Sequence, residues 1–87
     1  MNYLNKEIVV IGLGYVGLPL AVKLAAHFKV IGYDVSIDRI KELKDCNDST
    51  KEIKKNILRK AKNLVFTCDK SMISNKCIYI ITVPTPV

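Results

Sequence analysis

The chain has 87 residues, a formal charge of +6, three cysteines, one histidine and no tryptophan. That length sets one small domain as the ceiling, burying only about 60–65% of the surface its unfolded form exposes and holding little stability in reserve. No apolar stretch approaches the roughly 20 residues of a membrane helix or has the flanks of a secretory leader, so the cytoplasm is the expected compartment, with no membrane partner.

The first predicted element is the run Ile8-Val9-Val10-Ile11, whose β-branched residues suit a strand buried on both faces of a parallel sheet. Gly12 lets the chain turn sharply where that strand ends, and Gly14 leaves room for a pyrophosphate against bare backbone. The apolar run that follows is led by Val16 and carries Leu20, Leu24 and Phe28 on one face. This is helical spacing, and the helix N-terminus should aim amide donors and a partial positive charge at the phosphate. Gly17 falls where helix and strand must pack closely. A bare GxGxxG is weak, because glycines also punctuate ordinary turns; a strand before it and a helix after it strengthen it. A second strand, Lys29-Val30-Ile31-Gly32-Tyr33-Asp34, then places an acid at its tip, roughly twenty residues on. A carboxylate there accepts hydrogen bonds from the adenosine ribose diol and repels a 2′-phosphate, so Asp34 points to NAD rather than NADP. The alternative is a strand-end Asp that caps the next helix, a task also open to Ser36 and Asp38.

A second helix is expected over 35–45, with Ile37, Ile40 and Leu43 on the sheet side. Asn47-Asp48-Ser49-Thr50 reads as a loop with capping residues, followed by a third helix over 50–63 through Ile53, Ile57 and Leu58. Residues 64–67 make a third strand, Asp69 or Ser71 starts a short helix through Met72 and Ile73, and 77–83 form a fourth strand that stops at Pro84. Strands alternating with helices give an α/β chain, here a partial Rossmann fold. Its parallel sheet has about four strands in the order 3-2-1-4, with flanking helices.

Cys46, Cys68 and Cys77 lack the paired short spacings of a zinc site, and one histidine supplies no second ligand type, so no metal is expected. The three read as free thiols, Cys68 and Cys77 as small hydrophobes near the core. His27 reads as a residue at the helix C-terminus that favours the dipole, not as a catalytic acid or base. Lys51, Lys54, Lys55, Arg59, Lys60 and Lys62 make the third helix basic. Without interleaved aromatics, and with Glu52 in the run, this is read as a solvated face rather than a nucleic-acid site.

Two longer strings are more specific than the glycine pattern: Gly12-Leu13-Gly14-Tyr15-Val16-Gly17-Leu18-Pro19-Leu20-Ala21 and Tyr79-Ile80-Ile81-Thr82-Val83-Pro84-Thr85-Pro86. Together they resemble the nucleotide-sugar 6-dehydrogenases, the UDP-glucose/GDP-mannose dehydrogenase family, from the first strand to the last residue. The look is closest to the UDP-N-acetylglucosamine or N-acetylgalactosamine branch used for surface polysaccharides. The resemblance implies that Gly12, Gly14, Tyr15, Val16 and Gly17 form the pyrophosphate loop, Tyr15 and Val16 through their amides, and that Asp34 takes the adenosine ribose. It implies that Arg39 helps hold the ribose, the alternative being a surface arginine. It also implies that Val83, Pro84 and Thr85 border the cofactor across the switch point between strands 1 and 4. Pro19 removes one donor early in the first helix, so that helix is expected to start late or bend there.

The family oxidises the C6 hydroxyl of a nucleotide-linked sugar to a carboxylate with two NAD in succession, the second step through a cysteine-bound thiohemiacetal. The resemblance places that cysteine and its helpers in later parts of the family's chain. None of the three cysteines here is therefore assigned as the nucleophile, and no catalytic residue is assigned. Residues 1–87 are expected to be the N-terminal portion of a dinucleotide-binding domain, truncated after the fourth strand. Such a piece would bind at best half a cofactor well and tend to self-associate over the free strand edge. The nucleotide sugar is the partner of the full-length enzyme. The competing class is a non-catalytic NAD- or nucleotide-binding module, or an inactive remnant.

Overall fold

The structure is a computed structural model that describes residues 7–74 and 78–82. In chain order it runs β1 (Glu7–Ile11), α1 (Gly17–Ala25), β2 (Lys29–Tyr33), α2 (Ile37–Lys44), α3 (Lys55–Lys60), β3 (Leu64–Thr67), a 3-10 turn at Lys70–Met72, and β4 (Ile78–Ile81). The strands form one parallel sheet in the order β3-β2-β1-β4, the order expected of a partial Rossmann fold. Val9 pairs with Ile31 on one side and Tyr79 on the other, so β1 is the central strand from which the glycine loop leaves.

The period of two in β1 divides the core. Ile8 and Val10 join Leu13, Leu18, Ala21, Ile40, Leu43, Leu58 and Phe66 in the larger cluster, while Val9 belongs with Ile31 and Tyr33 on the opposite face. Val9 and Val10 are both fully buried, which is why the strand reads as a continuous apolar run.

Several elements differ from their sequence expectations. The buried face of α1 is Gly17, Leu18, Ala21 and Ala25, not Leu20, Leu24 and Phe28, which are half-buried; Val16 is 70% exposed. Small residues line the contact, letting the helix lie close to the strands, and the larger side chains fill its flanks. Pro19 sits in the first turn, where its missing N–H would have had no intrahelical partner, so the helix begins at Gly17 without a late start. It ends at Ala25, and His27 lies beyond it, exposed and edge-on to Phe28.

Ser36, not Asp34 or Asp38, caps α2: its hydroxyl accepts the Arg39 amide at 3.1 Å. At the other end Asn47 N–H bonds the Glu42 carbonyl and Cys46 N–H the Leu43 carbonyl, with Cys46 at φ 59, a Schellman closure with cysteine where glycine is usual. The third helix is much shorter than 50–63 because the Asp48 carboxylate draws the amides of Thr50, Glu52 and Ile53 to itself, and Lys51 is left-handed at φ 60. Ile37 and Ile57 are exposed, while Ile40, Leu43 and Leu58 are buried. Cys68, expected near the core, is exposed just past β3, and Cys46 is half-buried. Cys77 and Val83, the expected ends of the fourth strand, lie outside the described residues.

Candidate functional site

The ends of β1 and β2 and the turn after each enclose a hollow of about 360 Å³ walled by Gly12, Leu13, Gly14, Tyr33, Asp34 and Arg39 among others. It lies where a parallel sheet presents ligand sites, beyond the carboxyl ends of strands.

Three glycines of the loop do different work. Gly12 has φ +96, and a Cβ there would stand 1.8 Å from the Thr82 carbonyl oxygen. A Cβ on Gly17 would stand 1.7 Å from the Gly12 carbonyl oxygen and 2.3 Å from Thr82 Oγ1. Both positions are closed to any side chain by backbone. Gly14 is the opposite case: nothing lies within 4 Å of where its Cβ would be. Bare backbone therefore faces open space at the N-terminal end of α1. That helix has no side-chain cap and no acid in its first turn, and the amides of Tyr15 and Val16 donate to no backbone carbonyl among the described residues. Such an end attracts anions.

Leu13, between the glycines, fixes the loop. Its side chain is fully buried, its N–H donates to Asp34 Oδ2 at 2.9 Å, and its carbonyl accepts from Arg39 Nε at 2.8 Å. The other oxygen of Asp34 accepts the Ser36 amide at 2.9 Å. Each carboxylate oxygen keeps a further lone pair, so the acid both ties the glycine loop to β2 and retains accepting capacity at the hollow. From the far side Thr82, just after β4, donates its N–H to the Ile11 carbonyl and its hydroxyl to the Gly12 carbonyl, each at 2.7 Å.

Arg39 is not a surface arginine; its side chain is only 11% exposed. Nη1 donates to Glu42 at 2.6 Å and to Asp48 at 2.8 Å, and Nη2, buried, has no hydrogen-bond partner among the described residues. Burial opposes the charge on Arg39, yet the two carboxylates hold its pKa above the ordinary value. The Arg39 hydrogen bond pulls Glu42 down. The Asp48 side chain is fully buried, which alone would raise its pKa. The Thr50 hydroxyl, the Ile53 and Thr50 amides and Arg39 together bring it down to about 2.

The structure thus brings Gly12, Gly14, Tyr15, Val16, Gly17, Asp34 and Arg39 to one end of the sheet; Val83, Pro84 and Thr85 lie outside the described residues. The sequence reading missed Leu13, Glu42, Asp48 and Thr82. Only Asp48 carried a local signal, an acid two residues before a threonine, the pattern of an Asx turn. Among the described residues no three His, Cys, Asp or Glu side chains are grouped as a metal site, and no helix is long and apolar enough to cross a membrane.

The sequence profile described as "UDP-glucose/GDP-mannose dehydrogenase family, NAD binding domain" matches residues 6–87. The chain belongs to this family. It is 48% identical over 81 residues to a UDP-N-acetyl-D-glucosamine 6-dehydrogenase of Salmonella typhi, an alignment covering 93% of this chain and 19% of the relative. It is 44% identical over 84 residues to Protein CapL of Staphylococcus aureus, covering 97% and 20%. Among solved structures, a UDP-D-ManNAc dehydrogenase from Pyrococcus horikoshii superposes with a TM-score of 0.85 at 31% identity, covering 93% of this chain and 21% of that one. The chain thus spans about one fifth of the length of the curated relatives it matches. This family membership is what the GYVGLPLA and TVPTP strings implied.

Proposed function

We propose that the chain binds NAD at the carboxyl end of its sheet. In this reading residues 1–87 are the N-terminal portion of the dinucleotide-binding domain of an oxidoreductase that converts the C6 hydroxyl of a nucleotide sugar to a carboxylate for polysaccharide synthesis. The observation that carries the reading is the contrast among the glycines: Gly12 and Gly17 are closed by backbone, while Gly14 alone opens onto free space beside the amides of Tyr15 and Val16. A pyrophosphate fits that space and that polarity. The names of the relatives support the sugar-nucleotide part of the reading.

In this reading Gly12, Gly14 and Gly17 shape the loop, and the Tyr15 and Val16 amides hold phosphate oxygens. Asp34 accepts from the adenosine ribose, and Arg39 keeps the loop carbonyl of Leu13 in place beside it. The segment 83–85 follows Thr82, which is hydrogen-bonded to the glycine loop, so Val83, Pro84 and Thr85 would border the cofactor there. When bound, NAD supplies the hydride acceptor. The chain's own residues position its adenosine diphosphate half, and none of them is assigned a part in the oxidation.

Asp34→Ala tests the site. Because Asp34 also ties down Leu13, the variant will weaken any nucleotide somewhat, but it should weaken NAD far more than NADP in a calorimetric titration. Equal loss of both would mean that the acid serves only the loop.

A further inference from the structure

Asp34 is the one acid among the residues that wall the hollow, and Arg39 walls it too. An arginine in that neighbourhood is the group that accommodates a 2′-phosphate in NADP-binding proteins. Here Nη2 is buried, has no partner among the described residues and belongs to a side chain that walls the hollow. On that ground alone Arg39 looks like a phosphate receptor. Its other nitrogens say otherwise. Nε is taken by the Leu13 carbonyl, and both Nη1 protons by carboxylates, Glu42 at 2.6 Å and Asp48 at 2.8 Å. With Asp34 the cluster carries three carboxylates against one guanidinium. A dianionic phosphate brought there meets net negative charge in a partly desolvated place.

We propose that Glu42 and Asp48 are specificity-determining residues for the cofactor: by claiming both protons of Nη1 they neutralise Arg39 and stop it serving as a receptor for a 2′-phosphate. The inference rests on the dinucleotide reading above and deepens it. Asp48 is suited to the task because its carboxylate is fixed by the loop it organises, accepting Thr50 N–H and hydroxyl and the amides of Glu52 and Ile53 while still reaching Arg39. It stays ionised at any pH at which the protein would work. Glu42 lies one turn along α2 from Arg39, and its carboxylate is also held by the Ser49 hydroxyl at 2.9 Å.

The test is a calorimetric titration of the chain and two variants with NAD and with NADP. Asp48→Asn keeps the shape and removes the charge. Glu42→Gln does the same at a more exposed position that leaves the Asp48 loop intact, so a folded variant is available if the first is not. Both should raise the affinity for NADP relative to NAD by about tenfold or more, with Asp34 untouched. A ratio that stays within about twofold of the parent in the folded variants overturns the proposal. A parent chain that binds neither nucleotide overturns the dinucleotide reading itself, and the inference with it.

Discussion

Replacing Gly14 by alanine separates binding from stability. No atom lies within 4 Å of the new methyl and Gly14 is not in the left-handed region, so the folded chain accepts it without strain. By restricting the unfolded chain, the change should stabilise by about 0.4–1 kcal/mol. The same methyl, about 1.5 Å from the backbone, stands in the space assigned to the pyrophosphate. Holding the phosphates off the Tyr15 and Val16 amides loses about two charge-assisted hydrogen bonds, on the order of 3 kcal/mol, or roughly a hundredfold in Kd. Urea unfolding read by circular dichroism gives the first quantity and calorimetry with NAD the second. Gly17→Ala gives the opposite stability result. Its Cβ would sit 1.7 Å from a backbone oxygen, and α1 must shift to admit it. The expected net loss is about 2 kcal/mol despite the better helix propensity of alanine. If Gly14→Ala bound NAD as tightly as the parent, or unfolded as easily as Gly17→Ala, the assignment of the open space to phosphate would fall.

The remaining predictions concern the rest of the domain. Asp48, lowered from 3.8 to about 2, contributes stability that is full above pH 3.8 and is lost as the pH falls through 2, in all about 2 kcal/mol. Urea midpoints measured at about pH 5 and about pH 2.5 should show that fall, and Asp48→Asn should remove most of its share of it. Lys51→Gly should raise stability by about 0.5–1 kcal/mol, because Lys51 is exposed and held at φ 60; an unchanged or lower urea midpoint would show that the left-handed turn costs little. β4 ends the described sheet with Ile81 67% and Tyr79 43% exposed, so the chain should self-associate at high concentration and Ile81→Lys should lower its sedimentation coefficient; a concentration-independent monomer would count against this.

What was legible in the sequence was whatever a short window constrains. Ile8 to Gly17 carries its strand, turn and helix start in consecutive residues, and the acid at the tip of β2 followed from counting. The sheet order followed from the alternation of elements and the family resemblance. What escaped depends on distant partners. Side-chain size points to Leu20, Leu24 and Phe28 as the buried face of α1, whereas close approach to the strands puts Gly17, Ala21 and Ala25 at the contact. The local sequence around Asp34 suits either a ribose ligand or a helix cap, but its carboxylate reaches 21 residues back to the Leu13 amide, a contact no local pattern announces. The third helix starts later than its periodicity suggests because Asp48 diverts the amides that would have begun it. Arg39 is drawn inward by that same carboxylate, nine residues along the chain.

The measurement that most directly tests the central claim is a calorimetric titration of the chain with NAD and, separately, with ADP-ribose. If the hollow holds the adenosine diphosphate half of the cofactor, as proposed, both ligands should bind saturably with similar affinity, and Gly14→Ala should weaken both together by roughly a hundredfold. No saturable binding of either, or binding that Gly14→Ala leaves intact, would contradict it.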